Sequence, residues 1–172
     1  MRLLPSGDRA ILIDCIDAGE ARVWAALLSE HVPVTLGAQT VLVHTTRAEV
    51  QRLIAQFEHG KAAPVVDAHT REHTLAVSYD GPDLEHVAEH TGLTTSEVVE
   101  AHTSAVLTVG FSGFAPGFAY LVNGDERLTV PRLAVPRATV AAGSVALAGA
   151  FSGIYPRESA GGWQIIGHTV EW

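Results

Sequence analysis

The chain has 172 residues, 47% of them hydrophobic and 17% charged, with a formal net charge of −8. That composition excludes a disordered chain, and the single cysteine, Cys15, excludes an internal disulfide framework or a Cys-rich zinc site. With one lysine in the chain (Lys61) and no apolar run of the ~18 residues that a membrane span needs, neither a nucleic-acid face nor a membrane partner is expected.

The length suits one ordinary domain or two small ones. Ala10–Cys15 is an apolar run behind a Pro5-Ser6-Gly7-Asp8 turn and predicts a strand. Asp17–Glu30 carries Val23, Trp24, Leu27, Leu28 and His31 at helical spacing. Thr40–His44 reads as a second strand. Arg47–Glu58 sets Val50, Leu53, Ile54 and Phe57 on one helical face, with Gly60 as a stop. The order β-α-β-α fits a small α+β domain over residues 1–66. Lys61–Thr70 breaks the pattern and is the expected linker.

Past it, Leu75, Val77 and Tyr79 alternate within His73–Tyr79, the signature of a strand. Pro82–Thr91 predicts a short helix stopped by Gly92. Thr94 and Glu97 have capping-box spacing and open a second short helix ending near His102. From Ala105 onward the helical period disappears. Short apolar runs (Val106–Val109, Val145–Leu147, Gln164–Ile166) alternate with Gly and Pro, and 10 of the 16 glycines lie between 110 and 167. Residues 101–172 hold 4 acidic and 4 basic side chains, so this part is charge-neutral and the −8 belongs to the first hundred residues. The pattern predicts a β-barrel-like domain over residues 67–172. Met1–Pro5 lacks the long apolar core and small-residue cleavage site of a signal peptide, so a cytoplasmic location is expected.

No phosphate loop of the Gly-x4-Gly-Lys-Ser/Thr type and no Gly-x-Ser-x-Gly elbow is present. His86-Val87-Ala88-Glu89-His90 matches a zinc-peptidase pattern, and His69–His73 matches it again across the linker. The duplication and the missing third ligand favour a solvated helix face, and no metal is expected. The informative stretch is Gly110–Leu121, where Phe111, Phe114, Phe118 and Tyr120 alternate with small residues and Pro116. Gly117 lets the backbone approach a ligand closely, and the aromatics could wall a site or pin a turn to the core. Val130-Pro131-Arg132 and Pro136-Arg137 repeat a Pro-Arg pair at a spacing of five. An arginine fork suits a carboxylate or phosphate, and two surface arginines are the plainer alternative. Gly161-Gly162 before Trp163 could form an anion-binding nest or a tight turn.

Taken together, Gly113–Leu121, Val130–Arg132 with Pro136-Arg137, Ala142–Ala146, Gly153–Pro156 and Gly161–Thr169 resemble the 5-oxoprolinase B-subunit family. It is also called allophanate hydrolase subunit 1, or KipI-like. The opening Arg2–Ala10 and His102 fit as well. The resemblance covers nearly the whole chain. It departs from the family at Ala141 and Ala160, where proline is usual, and at His168, where arginine is usual. Relatives continue in strand-rich sequence past the position of Trp172, so a barrel lacking its last strands is expected.

The resemblance implies an α+β domain followed by a cyclophilin-like β-barrel domain. It implies a hydrolase of a cyclic amide, acting only within a complex that opens 5-oxoproline to glutamate with ATP. The implied partners are a homologous cyclophilin-like second subunit and a third subunit. A KipI-like module inhibiting a histidine kinase, or the carboxyltransferase half of a urea carboxylase-like system, are the alternative readings. The candidate catalytic residues are His102 as proton carrier and Arg132 or Arg137 as anion clamp. The candidate substrate-binding residues are Phe114, Pro116, Gly117, Phe118, Tyr120, Tyr155, Gly161, Gly162 and Trp163.

Overall fold

A computed structural model of the chain describes residues 1–59 and 71–171. It divides into two compact units, Met1–Glu72 and His73–Trp172. The expected linker Lys61–Thr70, with the 66/67 boundary inside it and His69 at its end, lies outside the described residues.

The first unit is an antiparallel sheet of four strands in the order β1-β2-β4-β3: β1 (Arg2–Ser6), β2 (Ala10–Asp14), β3 (Val34–Leu36) and β4 (Thr40–Val43). Two helices, α1 (Ala18–Ser29) and α2 (Arg47–His59), complete it. Along β2 and β4 the residues alternate, so Ile11, Ile13, Val41 and Val43 share one face. They pack with Ala21, Ala25 and Leu28 of α1 and Val50, Leu53 and Ile54 of α2. Asp17 caps α1 by accepting from the Glu20 N–H at 2.8 Å.

The element order is therefore ββαββα rather than the expected β-α-β-α. Pro5 hides β1 from a reading of the sequence, but among the described residues β1 pairs only with β2, and an edge strand tolerates proline. The hairpin turn falls at Gly7–Arg9, with Gly7 at φ +68°. β3 has three residues, too short to show a period.

In the second unit α3 (Leu84–Thr91) starts behind Asp83 and ends on Gly92 at φ 73°. α4 (Thr95–Ser104) carries the complete Thr94/Glu97 capping box. The expected strand His73–Tyr79 is not formed; only Ser78 bridges to His168. The next backbone bonds are Gly81 N–H to the Ile166 carbonyl and Asp83 N–H to the Ile165 carbonyl. The segment advances three residues from 78 to 81 while its neighbour advances two, which breaks the ladder.

The remaining strands are β5 (Thr108–Ser112), β6 (Ala119–Val122), β7 (Arg137–Val140), β8 (Ser144–Ala148), β9 (Phe151–Ile154), β10 (Ser159–Gly161) and β11 (Gln164–His168). They form a five-stranded sheet, β11-β8-β9-β6-β5, and a two-stranded one, β10-β7. Among the described residues no barrel closes, which corrects the barrel expectation to two open antiparallel sheets. β8 is buried along its whole length and separates two cores. Val145 and Leu147 face Val87, Ala88, Val98 and Ala101 of the helices. Ala146 and Ala148 face Phe118, Tyr155 and Trp163, where small residues leave room for rings.

Asp83 is buried at 6% exposure and is the junction of the unit. Its carboxylate accepts from the Ile165 N–H at 2.6 Å and from Arg137 Nη2 at 2.7 Å. Asp83→Ala strands Arg137 and the Ile165 amide. We expect a loss of about 3 kcal/mol in urea unfolding, the low end of the range for breaking a buried pair, because the Arg137 side chain is 30% exposed. A variant within about 0.5 kcal/mol of the parent protein would remove this pair from the fold's supports.

Candidate functional site

The Gly113–Phe118 loop joins β5 to β6 and is closed by Gly113 N–H on the Phe118 carbonyl and Phe118 N–H on the Ala115 carbonyl, at 3.2 and 2.9 Å. Phe118 ends at 1% exposure in the middle of an aromatic cluster. Its ring meets those of Phe114, Tyr120, Tyr155 and Trp163 edge-on at 5.2–5.4 Å between centroids. Two glycines make this packing possible. A Cβ on Gly153 would press on the Phe118 and Trp163 rings, and one on Gly161 would collide with the Tyr155 hydroxyl. Burial pushes the Tyr155 phenol up, against the pull of the Trp163 amide and of Arg132 and Arg137.

Phe118, Tyr155 and Trp163 are thus core residues rather than the walls of an open site. Phe114 stands apart at 60% exposure and φ 62°, strained for a bulky side chain. Gly117 has φ +84° beside Pro156, and Pro116 is exposed. Gly161 pairs with Arg137 across the β10-β7 sheet, and the Gly162 carbonyl accepts from the Leu133 N–H at 2.8 Å. Neither glycine has a positive φ, so the alternating backbone of an anion nest is not formed there.

The two arginines have different situations. Arg137 is tied to Asp83, although its Nη1 is buried without a partner. Arg132 is exposed and makes no hydrogen bond or ion pair among the described residues. It is the arginine left available for an anion.

His102 lies elsewhere. In the last turn of α4, its Nδ1 is 2.7 Å from the Tyr79 hydroxyl and its Nε2 is 2.8 Å from Ser152 Oγ on β9. Burial holds the imidazole below its ordinary range and so keeps it neutral. His102 and Ser152 line a cavity of about 260 Å³ with Leu107, Leu147 and Phe151. Asn123 and the acids Asp125 and Glu126 also line it. Asp125 is engaged by Arg127, whose side chain and backbone N–H hold its carboxyl at about 2. No hydrogen bond or ring contact joins His102 to the arginines or to the Phe118 cluster among the described residues. The structure therefore brings together the aromatics, Gly161, Gly162 and Arg137, and places His102 in a second site.

Tyr79, Asp83 and Ser152 are missed by sequence reading. Asp83 had a signal, an acid just ahead of a helical run, whereas Ser152 and Tyr79 had none. His86 and His90 are exposed on α3, and among the described residues no three His, Cys, Asp or Glu side chains converge to hold a metal.

The family described as "Carboxyltransferase domain, subdomain C and D" matches residues 1–172. The 5-oxoprolinase B-subunit of Haemophilus influenzae is 36% identical over 162 residues, covering 88% of this chain and 76% of that protein. The chain belongs to the 5-oxoprolinase B-subunit family. The relative of the same name from Escherichia coli O157:H7 is 44% identical over 123 residues. There the match covers 70% of this chain and spans 55% of the length of the relative. The fold is also that of part of the Kluyveromyces lactis urea carboxylase, with a TM-score of 0.77 at 19% identity over 98% of this chain and 19% of that one. Among the described residues no helix is long and apolar enough to cross a membrane.

Membership makes the core reading of the family's aromatic motif testable. Phe118→Ala should cost about 3–5 kcal/mol in urea unfolding, as for other buried phenylalanines. A loss below about 1 kcal/mol would make Phe118 a site residue instead. For His102 the pKa is lowered in the fold, so protons bind the unfolded chain better. Its contribution to stability is complete above the ordinary value of 6.5 and is lost as pH falls below it. Urea titrations between about pH 7.5 and 5 should show this loss, and His102→Gln should flatten that slope.

Proposed function

We propose that this chain is the B-subunit, or a part of it, of a heteromeric, ATP-dependent 5-oxoprolinase, a hydrolase that opens the cyclic amide 5-oxoproline to glutamate. The observation that carries the reading is the 36% identity that extends over 76% of a 5-oxoprolinase B-subunit. In this reading the domains are an α+β domain over 1–66 and a cyclophilin-like domain over 67–172. The partners are a homologous cyclophilin-like second subunit and a third subunit, and the complex works in the cytoplasm.

The chemistry suits what the residues offer. A lactam amide is resonance-stabilised and resists water. Transfer of the γ-phosphoryl group of ATP to the lactam oxygen, with ADP leaving, removes that resonance. A first water then adds to the carbon, the C–N bond breaks as the ring nitrogen takes a proton, and the acyl phosphate left behind is hydrolysed by a second water to the carboxylate and free phosphate. ATP is a substrate of the complex. Arg132 is the candidate clamp for the substrate carboxylate; His102, the proton carrier implied by the family resemblance, lies in a separate cavity and is given no step on a substrate held by Arg132. Phe114, Pro116 and Gly117, the exposed part of the aromatic loop, are the remaining candidates for substrate contact.

A second reading is favoured by the family's own description as a carboxyltransferase domain. It makes the chain half of an enzyme that moves a biotin-carried carboxyl group.

Co-expression with the neighbouring homologous subunits should yield a complex that releases glutamate from 5-oxoproline only with ATP. Arg132→Ala should lower that activity at least tenfold, over about 1.4 kcal/mol, with an unchanged melting temperature. A complete complex that leaves 5-oxoproline intact but carboxylates an acceptor from carboxybiotin decides for the second reading.

A further inference from the structure

The cavity at His102 holds an unspent hydrogen-bond donor. Three side chains form a line: Tyr79 hydroxyl, His102 Nδ1 and Nε2, Ser152 hydroxyl, with links of 2.7 and 2.8 Å. A neutral imidazole carries one N–H, so it donates on one side and accepts on the other. Two arrangements satisfy both links. In one, Ser152 donates to Nε2 and Nδ1–H donates to the Tyr79 oxygen, leaving the phenol proton over. In the other, Tyr79 donates to Nδ1 and Nε2–H donates to the Ser152 oxygen, leaving the serine proton over.

Two observations select the second. Ser152 lines the cavity and Tyr79 does not, so only there does the left-over proton face a space that a ligand can fill. A phenol is also a much stronger acid than an aliphatic hydroxyl, so imidazole accepts from Tyr79 in preference to Ser152. All three donors then point the same way, and each polarises the next.

We propose that this cavity binds a small uncharged molecule through its carbonyl oxygen, with the Ser152 hydroxyl, driven by the Tyr79–His102 relay, as the donor. The walls agree with that class. Leu107, Leu147 and Phe151 are apolar, and the volume of about 260 Å³ admits a ring of five or six heavy atoms rather than a nucleotide. Glu126 at the same cavity disfavours phosphate and offers an acceptor for an N–H, while the Asp125 charge is already met by Arg127. A carbonyl beside an N–H is an amide, and an uncharged five-membered lactam is the simplest amide of that size; 5-oxoproline itself, whose carboxylate needs an arginine, is not the ligand of this cavity. Ser152 binds in this proposal, and Tyr79 and His102 act through it as positioning residues.

The test is binding to the chain alone, with 2-pyrrolidinone as probe and ¹⁵N-histidine labelling as readout. The free protein should show His102 neutral with Nε2 protonated. Protonated Nδ1 would overturn the relay. Adding 2-pyrrolidinone should shift the His102 ring signals saturably, and ATP should not. Ser152→Ala should weaken the probe at least tenfold, Ser152→Thr should restore most of the loss, and Tyr79→Phe should weaken the probe and release the Nδ1 signal. Absence of a saturable shift in the parent protein, or equal affinity in a folded Ser152→Ala, overturns the site. Should Ser152→Ala fail to fold, the tautomer and the Tyr79→Phe titration still decide. None of these readouts needs the partner subunits, so glutamate release by the complex tests the oxoprolinase reading separately.

Discussion

The second unit depends on what happens at Asp83. A buried carboxylate is costly unless its oxygens are hydrogen-bonded, and here each oxygen has a donor, the backbone N–H of Ile165 on β11 and the side chain of Arg137. The contact fixes where α3 begins, because Asp83 is also its N-terminal flanking residue. It fixes β7 against the main sheet, since Arg137 opens that strand. Once α3 and β7 are set, the helices can cover one face of β8 while the aromatic cluster fills the other.

That division explains why the motif residues do not gather in one cluster. β8 alternates Val145 and Leu147 with Ala146 and Ala148, and each pair serves a different core. The bulky pair meets helices that carry His102 close to β9. The small pair meets Phe118, Tyr155 and Trp163. Ser152, on the strand next to β8, hydrogen-bonds His102, while Gly153 beside it admits the rings. One step along a strand turns a side chain to the opposite face of the sheet, and so adjacent residues of β9 face the His102 cavity and the aromatic core.

Arg132 and Arg137 show how identical residue types part company. Both follow a proline, and both lie near the Tyr155 phenol. Arg137 is held by a buried acid that comes from 54 residues earlier in the chain. Among the described residues Arg132 meets no such partner. The repeat suggests one role for both, but their surroundings diverge because, among the described residues, the fold supplies an acid to Arg137 and none to Arg132.

By itself the sequence determined the helices, the capping box of α4, the α+β class and the family, since each rests on local spacing or on motifs contiguous in the chain. It also marked His102, Arg132 and the aromatic loop as the residues to examine. It could not show that β1 is an edge strand able to carry Pro5, or that His73–Tyr79 meets β11 out of step. Both depend on which strand lies alongside. Nor could it pair Asp83 with Arg137 or set Ser152 and Tyr79 on either side of His102. Those contacts join residues 23 to 54 positions apart, and only packing brings them within hydrogen-bond reach. Local pattern reports what a residue's neighbours in the chain require, whereas the partner of a buried polar group is chosen by the tertiary fold.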